Sequence, residues 1–322
     1  MAYIDNVLFV LLLAAGFGFF AKNVKKLVRN IRLGRDVNRS DNPSARWNNM
    51  AMIALGQSKM VRRPVAGLLH IIVYVGFVLI NIELLEIIVD GIFGTHRLFA
   101  FMGGFYNFLI GSFEVLALGV IVSVTIFWIR RNIIKLWRFA HGDLKGWPKN
   151  DANYILYFET VLMLLFLTMN AADHYLQGIG FGHYHAAGAF PISGLLSPIF
   201  GGMSPEAVEI IERVCWWMHI SGIFVFMNYL YYSKHLHILL AFPNTYFAKL
   251  EPKGKFDNLD SVTAEVKLMM DPNADPFAAA PPAAEGEAPA KFGASDVQDL
   301  NWVQLLNAYT CTAVSYTHLT LP

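Results

Sequence analysis

The chain has 322 residues, of which 55% are hydrophobic and only 15% charged, and its mean hydropathy is +0.43. Soluble domains carry about a quarter charged residues, so this composition argues against a water-soluble globular protein. The net charge of +1 gives no reason to expect a nucleic-acid partner. Two cysteines, Cys215 and Cys311, allow no disulfide framework.

Five apolar stretches are long enough to cross a bilayer: Val7–Ala21, Val65–Val89, Phe105–Trp128, Tyr154–Ala171 and Val208–Leu230. The first is short, but no basic residue precedes it, so it reads as a retained helix rather than a secretory signal. The last stays apolar and helix-friendly as far as Phe242, and Pro243 is the expected stop. The connection after the first stretch carries eleven lysines and arginines from Lys22 to Arg63. The third connection carries six: Arg130, Arg131, Lys135, Arg138, Lys145 and Lys149. The second holds only Arg97 and the fourth none before Arg213. By the positive-inside rule the N-terminus is outside and the C-terminus inside, and five spans satisfy both ends. The expected fold is therefore all-α: a five-helix transmembrane bundle, N-out and C-in, with a cytoplasmic Pro/Ala-rich tail.

The outer loop from Gln177 to Ser204 is rich in glycine and apolar residues and carries no Asp, Glu, Lys or Arg before Ser204, so it is expected to lie on or dip into the membrane interface. In the tail, Asp271 to Ala290 reads DPNADPFAAAPPAAEGEAPA, a linker that cannot bury a core. Val297–Thr310 (VQDLNWVQLLNAYT) then looks ordered again and ends at Cys311.

Polar residues inside a bilayer are costly and point to function. His219 and His237 are eighteen residues apart. On one unbroken helix that is five turns, so both imidazoles point the same way, roughly 27 Å apart along the axis, about the thickness of the hydrocarbon core. His70 lies seven residues past Arg63, about 10 Å inside the inner face, and His237 lies just past Lys234 at a similar depth. These two can bracket one haem, since neutral imidazole is a strong axial ligand in a dry helical cage. On the same helix His235 points about 160° away from His219 and is expected to be structural. His219 follows Trp216 and Trp217, which mark an interface, so it is expected to be shallow on the outer side. His174, after Asp173 at the end of the fourth span, is the first candidate partner for it, and the His183/His185 pair in the outer loop is the second. For each histidine the plain alternative is an interfacial side chain without metal. Asn81 shares the face of His70 within about 20° and is a candidate to hydrogen-bond a haem or a quinone, or to pack the bundle. Glu83 and Glu86 lie in the outer half of the second span and are candidates for taking protons from a quinol, with helix packing as the alternative. Glu114 and Glu159 are intramembrane carboxylates with no role assigned.

The five-span layout, the N-out orientation and the His219/His237 pair resemble the γ subunit of respiratory nitrate reductase and its relatives, the membrane cytochrome b parts of heterodisulfide-reductase-like complexes. The resemblance covers about residues 1–245. It implies two b haems between the second and fifth spans, passing electrons between a membrane quinol and iron–sulfur partners. One departure stands out: the nitrate-reductase branch carries a second histidine ten residues after the first, and here that position is Ile80. The inner haem, on His70 and His237, carries over directly. The outer one keeps His219 and needs a partner from elsewhere, or is absent.

The run LLNAYTCT resembles the approach to the C-x-x-C-x-x-C-x-x-x-C-P cluster motif of a fused ferredoxin-like domain, with Cys311 as its first ligand. The following AVSYTHLTLP resembles translated adapter sequence. The expected organisation is thus a cytochrome b-like domain over 1–245, a cytoplasmic segment and linker over 246–294, the start of a truncated iron–sulfur domain over 295–312, and a non-native tail over 313–322. Clusters of the 4Fe-4S type belong only to a missing C-terminal region, because one cysteine cannot hold one.

These readings combine into a membrane dihaem cytochrome b (two haems, or one with His219 structural) of the bacterial inner membrane. It would relay electrons between a menaquinone-type pool and a cytoplasmic iron–sulfur domain or partner, as the membrane module of a larger oxidoreductase of the respiratory chain. The alternative is a haem-free transporter or the anchor of a soluble complex, although no internal repeat or broken-helix signature favours it.

Overall fold

The structure is a computed structural model that describes residues 3–136, 145–252, 254–255, 258, 260–273 and 293–312. Most of the Pro/Ala-rich stretch, and the last ten residues expected to be non-native, lie outside the described residues. Among those described the fold is all-helical, with a single isolated bridge between Arg35 and Asn301 and no strand. Five helices are long and apolar enough to cross a membrane: α1 (Ile4–Ile31), α3 (Pro64–Phe93), α4 (Gly104–Asn132), α5 (Trp147–Ile179) and the helix that starts at Pro205.

The chain divides into two compact units. Of the described residues, the first comprises 3–25, 56–136, 145–237 and 311–312. Here α5 packs against both α4 and α7 (Pro205–Tyr229), and α3 packs against α4. The sorting of side chains is inverted relative to a soluble protein. Leu68, Phe77, Leu85, Phe108, Leu164 and Val225 are exposed, whereas Glu83, Glu86, Glu114, Asn170, Asp173 and Glu212 are buried. A bundle whose outside is apolar and whose inside is polar is matched to lipid, where buried polar groups must find partners within the protein. The start of α1 packs through close contacts: Phe9 is fully buried among Ile87, Ile220 and Phe224, and a Cβ on Gly91 would sit 2.6 Å from the Phe9 ring. Only glycine lets the two helices approach so closely. Asn6 Nδ2 closes that corner by donating to the carbonyls of Gly91 and Ile92 at 3.0 and 3.1 Å.

The loop expected to lie at the interface folds onto this unit while leaving Leu195 and Ile199 exposed. The short helix α6 (Ser193–Leu196) begins where Glu114 Oε2 accepts from the amides of Ile192 and Ser193, at 2.9 and 3.1 Å. Tyr184 is buried and donates its hydroxyl to Glu212 at 3.0 Å.

The expectation of one continuous helix from Val208 to Phe242 is overturned. The helix α7 ends at Tyr229 and two 3₁₀ turns follow, Leu230–Tyr232 and Lys234–Leu236, separated by Ser233 in an extended conformation (φ −109°, ψ 150°). Ser233 Oγ accepts from the His235 amide at 3.1 Å. The break is held from α5: Asp151 accepts from the Tyr229 hydroxyl at 2.6 Å and from the Lys234 amide at 3.1 Å. A new helix, α8 (His237–Tyr246), then runs through Pro243 rather than stopping before it.

The second unit comprises residues 26–55 and 238–310. Arg46 of α2 (Pro43–Met50) is 1% exposed and donates to both the carbonyl and the carboxylate of Asp41, and to the carbonyls of Tyr246 and Ala248. The hydrogen bond from Arg46 holds the Asp41 carboxyl below the usual carboxylate range. The segment Val297–Thr310 is ordered as expected, with α10 over Trp302–Thr310. It buries Val303, Leu305 and Leu306 and bonds back to the end of α1: the Arg35 amide to the Leu300 carbonyl at 2.8 Å, and Trp302 Nε1 to the Val37 carbonyl at 3.0 Å. Cys311 is exposed directly after it.

Candidate functional site

Three histidines meet at the end of the first unit where α3 begins and α7 finishes. The rings of His235 and His237 are 5.5 Å apart, and His70 lies within electrostatic reach of both. His237 Nδ1 is 3.0 Å from the Lys234 carbonyl. The only role open to Nδ1 there is as an N–H donor, which leaves the Nε2 lone pair available to a metal. His70 Nδ1 is enclosed and has no hydrogen-bond partner among the described residues. Burial lowers the His237 imidazole and, with the charges of His237 and His70 adding to it, takes His235 down to about 3. Both are therefore neutral at pH 7, the state a ligand needs. The break after Tyr229 means that helical register does not set His235 against His237. His235 is oriented by its Ser233 cap and by Glu159, 3.6 Å from its Nε2.

His219 is not shallow. It is the fifteenth residue of the twenty-five in α7 and is 3% exposed, placing it mid-span. Its Nδ1 is fixed 3.0 Å from the Leu162 carbonyl and its ring lies against Phe166. Again the tautomer is set and Nε2 is left open. His219 lines a mainly apolar chamber between α3, α4, α5 and α7, with about 740 Å³ of empty space that is partly open to the outside. Ile80, Asn81, Glu83 and Glu159 also line it, and no lysine or arginine does among the described residues. The position ten after His70 thus faces the same space as His219, but supplies isoleucine and no ligand. Asn81 lines this space and donates to its own helix at the Phe77 carbonyl.

His174 does not stand opposite His219. It is twelve residues past Leu162 on α5, about 18 Å further along the axis, too far for both imidazoles to reach one iron. It rests on Phe190, and its Nε2 would lie 3.6 Å from a Cβ on Gly194. The His183/His185 pair is also divided: His183 stacks on Tyr184 and meets His96, while His185 is exposed in the loop. Among the described residues no group of three or more His, Cys, Asp or Glu is arranged to hold a metal ion.

Beyond the chamber, toward the end where α1 and α7 begin, lies a larger polar cleft of about 1330 Å³, lined by Asp5, Asp90, His96, Arg97, Glu212 and Arg213 among others. Its floor is a network whose only sign in the sequence is a single basic residue, Arg97, in the second connection. Arg97, 9% exposed, donates to Asp173 at 2.5 Å, to Asn170 at 2.9 Å and to the Tyr106 hydroxyl at 3.1 Å, and its guanidinium lies over the Phe190 ring. Glu86 belongs to the same network and is fully satisfied, accepting from the Phe99 amide and the Tyr106 hydroxyl at 2.8 Å each. His96 is 3.7 Å from Asp173, yet burial dominates and takes its pKa down to about 4.

The described residues thus form an all-helical protein with five membrane-length helices, in which His219 and His237 each have Nδ1 fixed by a backbone carbonyl and Nε2 left open. Two distant relatives agree with an oxidoreductase relation. The chain is 24% identical over 308 residues to the probable iron-sulfur-binding oxidoreductase FadF of Bacillus subtilis (strain 168), covering 95% of this chain and 38% of that protein. It is 22% identical over 312 residues to the EtfAB:quinone oxidoreductase of Syntrophomonas wolfei subsp. wolfei, covering 92% of this chain and 37% of that protein. The chain thus spans less than two fifths of the length of these relatives. No protein-family model matches it, and no solved structure does.

Proposed function

We propose that this chain is the membrane module of a quinone-linked oxidoreductase, passing electrons between a membrane quinone and an iron–sulfur region or partner on the inner, C-terminal side. The observation that carries the reading is the pairing of two sites of different chemistry along one bundle: a half-buried histidine cluster at one end and an apolar chamber at mid-depth. The relatives' names supply the iron–sulfur and quinone parts of the expectation. The positive-inside count supplies the orientation, and Cys311 remains the candidate first ligand of a fused cluster domain.

The residues suit one b haem at the histidine cluster. His70 and His237 would hold it, the first through a ring whose enclosed Nδ1 has no hydrogen-bond partner among the described residues and the second through an Nε2 freed by the Lys234 carbonyl. Lys234 and Arg131 bring positive charge to this end, matching the anionic propionates of haem. A bound b haem would supply a one-electron iron couple in low dielectric. The chamber has the opposite character: two carboxyl groups and no cation, a poor match for propionates and a good one for a neutral quinone ring, with His219 Nε2 and Asn81 as its polar contacts. A two-haem arrangement is the second reading, favoured by the same open Nε2 of His219.

Pyridine-haemochrome content per chain decides between them. One b haem, lost in His70→Ala and His237→Ala and kept in His219→Ala, is the expected result. Two haems with one lost in His219→Ala would establish the dihaem form. A colourless protein after haem-replete expression would refute the cytochrome and bring forward a transporter or anchor.

A further inference from the structure

Glu83 is the twentieth of the thirty residues of α3, 6% exposed, and its Oε2 is enclosed without a hydrogen-bond partner among the described residues. Its acidic neighbours differ. Glu86 has its two donors, Glu114 accepts from Asn170 and the start of α6, and Asp173 accepts from Arg97 and Gln177. A buried carboxyl oxygen left unsatisfied is costly, so its retention in the bundle calls for another explanation than packing.

Its position gives one. Glu83 and Ile87, one turn apart on α3, line both the apolar chamber and the polar cleft. Of these two only Glu83 can carry a proton. The charged groups that act on it are Glu86 on its own helix, Arg97 just after that helix, Glu114 from α4 and Asp173 from α5. On the chamber side Glu159 of α5 and His219 of α7 share the space with it, and on the cleft side α7 contributes Arg213 and α1 contributes Asp5.

We infer that Glu83 is the proton relay between the two spaces, exchanging a proton with one oxygen of a quinone seated in the chamber and with water in the cleft. This rests on the chamber being a quinone site. Reduction of the quinone consumes two electrons and two protons and forms two O–H bonds. The electrons come singly from haem iron or an iron–sulfur cluster, the one-electron carriers of the proposed function. As the O–H bond forms at the near oxygen, the Glu83 carboxyl O–H breaks, and the carboxylate regains its proton from water in the cleft. The second proton reaches the far oxygen from the Glu159 carboxyl, whose O–H breaks as that bond forms, and Glu159 is reprotonated by Glu83 across the chamber once water in the cleft has restored Glu83. Quinol oxidation runs the same steps in reverse. Protons would then be exchanged with the side of the membrane toward which α1 and α7 begin.

The test uses the full haem-loaded chain in liposomes, with a heptyl-hydroxyquinoline N-oxide as the quinone probe, menadiol as the reductant of haem, and infrared difference spectra between the quinone and quinol states. Glu83→Gln is expected to bind the probe within about twofold of wild type and to reduce haem roughly 10²-fold more slowly, as loss of a general acid–base does, with Glu83→Asp recovering part of the rate. The wild-type infrared spectrum should show a protonated-carboxyl band that is missing in Glu83→Gln. Haem reduction by Glu83→Gln at an undiminished rate, or loss of probe binding in that variant, would overturn the relay. So would a wild-type spectrum with no carboxyl band, which needs no variant to fold. Failure of the wild type to bind the probe would remove the quinone site itself, a result visible before any substitution is made.

Discussion

Replacing Arg97 by methionine removes the charge at the centre of the buried network while keeping an unbranched side chain of similar length. Asp173 then keeps only Gln177 Nε2 at 3.1 Å and His96 at 3.7 Å, and Tyr106 and Asn170 each lose a donor. Taking one partner from a buried ion pair costs about 3–5 kcal/mol, mostly because the other charge is left in low dielectric. Arg97→Met should therefore lose about that much in equilibrium unfolding by SDS in mixed micelles, followed by tryptophan fluorescence. Asp173→Asn strands the guanidinium and should cost a similar amount. The double variant removes both charges and should be more stable than the sum of the two losses by at least about 2 kcal/mol. If Arg97→Met lies within about 1 kcal/mol of wild type, or if the two losses simply add, the network does not hold this end of the bundle together.

Two further outcomes follow from the geometry. His96 is held at about 4, against about 6.5 for a free imidazole, so an unfolded chain takes up this proton first as pH falls. Its contribution is full above about pH 6.5 and is lost progressively down to about pH 4, by about 3 kcal/mol in all; His96→Gln should flatten the fall in unfolding free energy between pH 7 and pH 5, and an unchanged slope would refute this. Gly91→Ala should cost about 1–3 kcal/mol by driving a methyl into the Phe9 ring, and much less in a Phe9→Ala background; equal cost in both backgrounds would show that α1 does not pack there.

The spans were legible because a bilayer demands long apolar runs whatever the tertiary structure. Where packing decides, local pattern failed. Nothing between Leu230 and Leu236 is a strong helix breaker, and the helix ends there because Asp151, nearly eighty residues earlier, takes both the Tyr229 hydroxyl and the Lys234 amide. The depth of His219 was misjudged because Trp216 and Trp217, read as an interface belt, pack against the buried Phe9 ring instead. His174 looked like a partner only while distance along α5 was ignored. Glu83 was found from its type and span, but its lack of a partner and its shared position between two spaces depend on four helices and have no sequence signal. The outer loop was legible only in part, because its apolar residues divide between two roles: Tyr184 and Phe200 are buried within the unit, whereas Leu195 and Ile199 stay exposed.

The interruption at Ser233 also separates the tolerances of the two sites. Were α7 unbroken to His237, adding one residue anywhere along it would swing that imidazole about 100° around the axis. As built, the aim of His237 is fixed within a few residues, by the Ser233 cap, the Lys234 carbonyl and the anchor to Asp151. His219 answers to a different element, the Leu162 carbonyl in the middle of α5. The join thus lets the two imidazoles be aimed by separate contacts, His219 from the middle of α5 and His237 from the turn anchored to the start of α5.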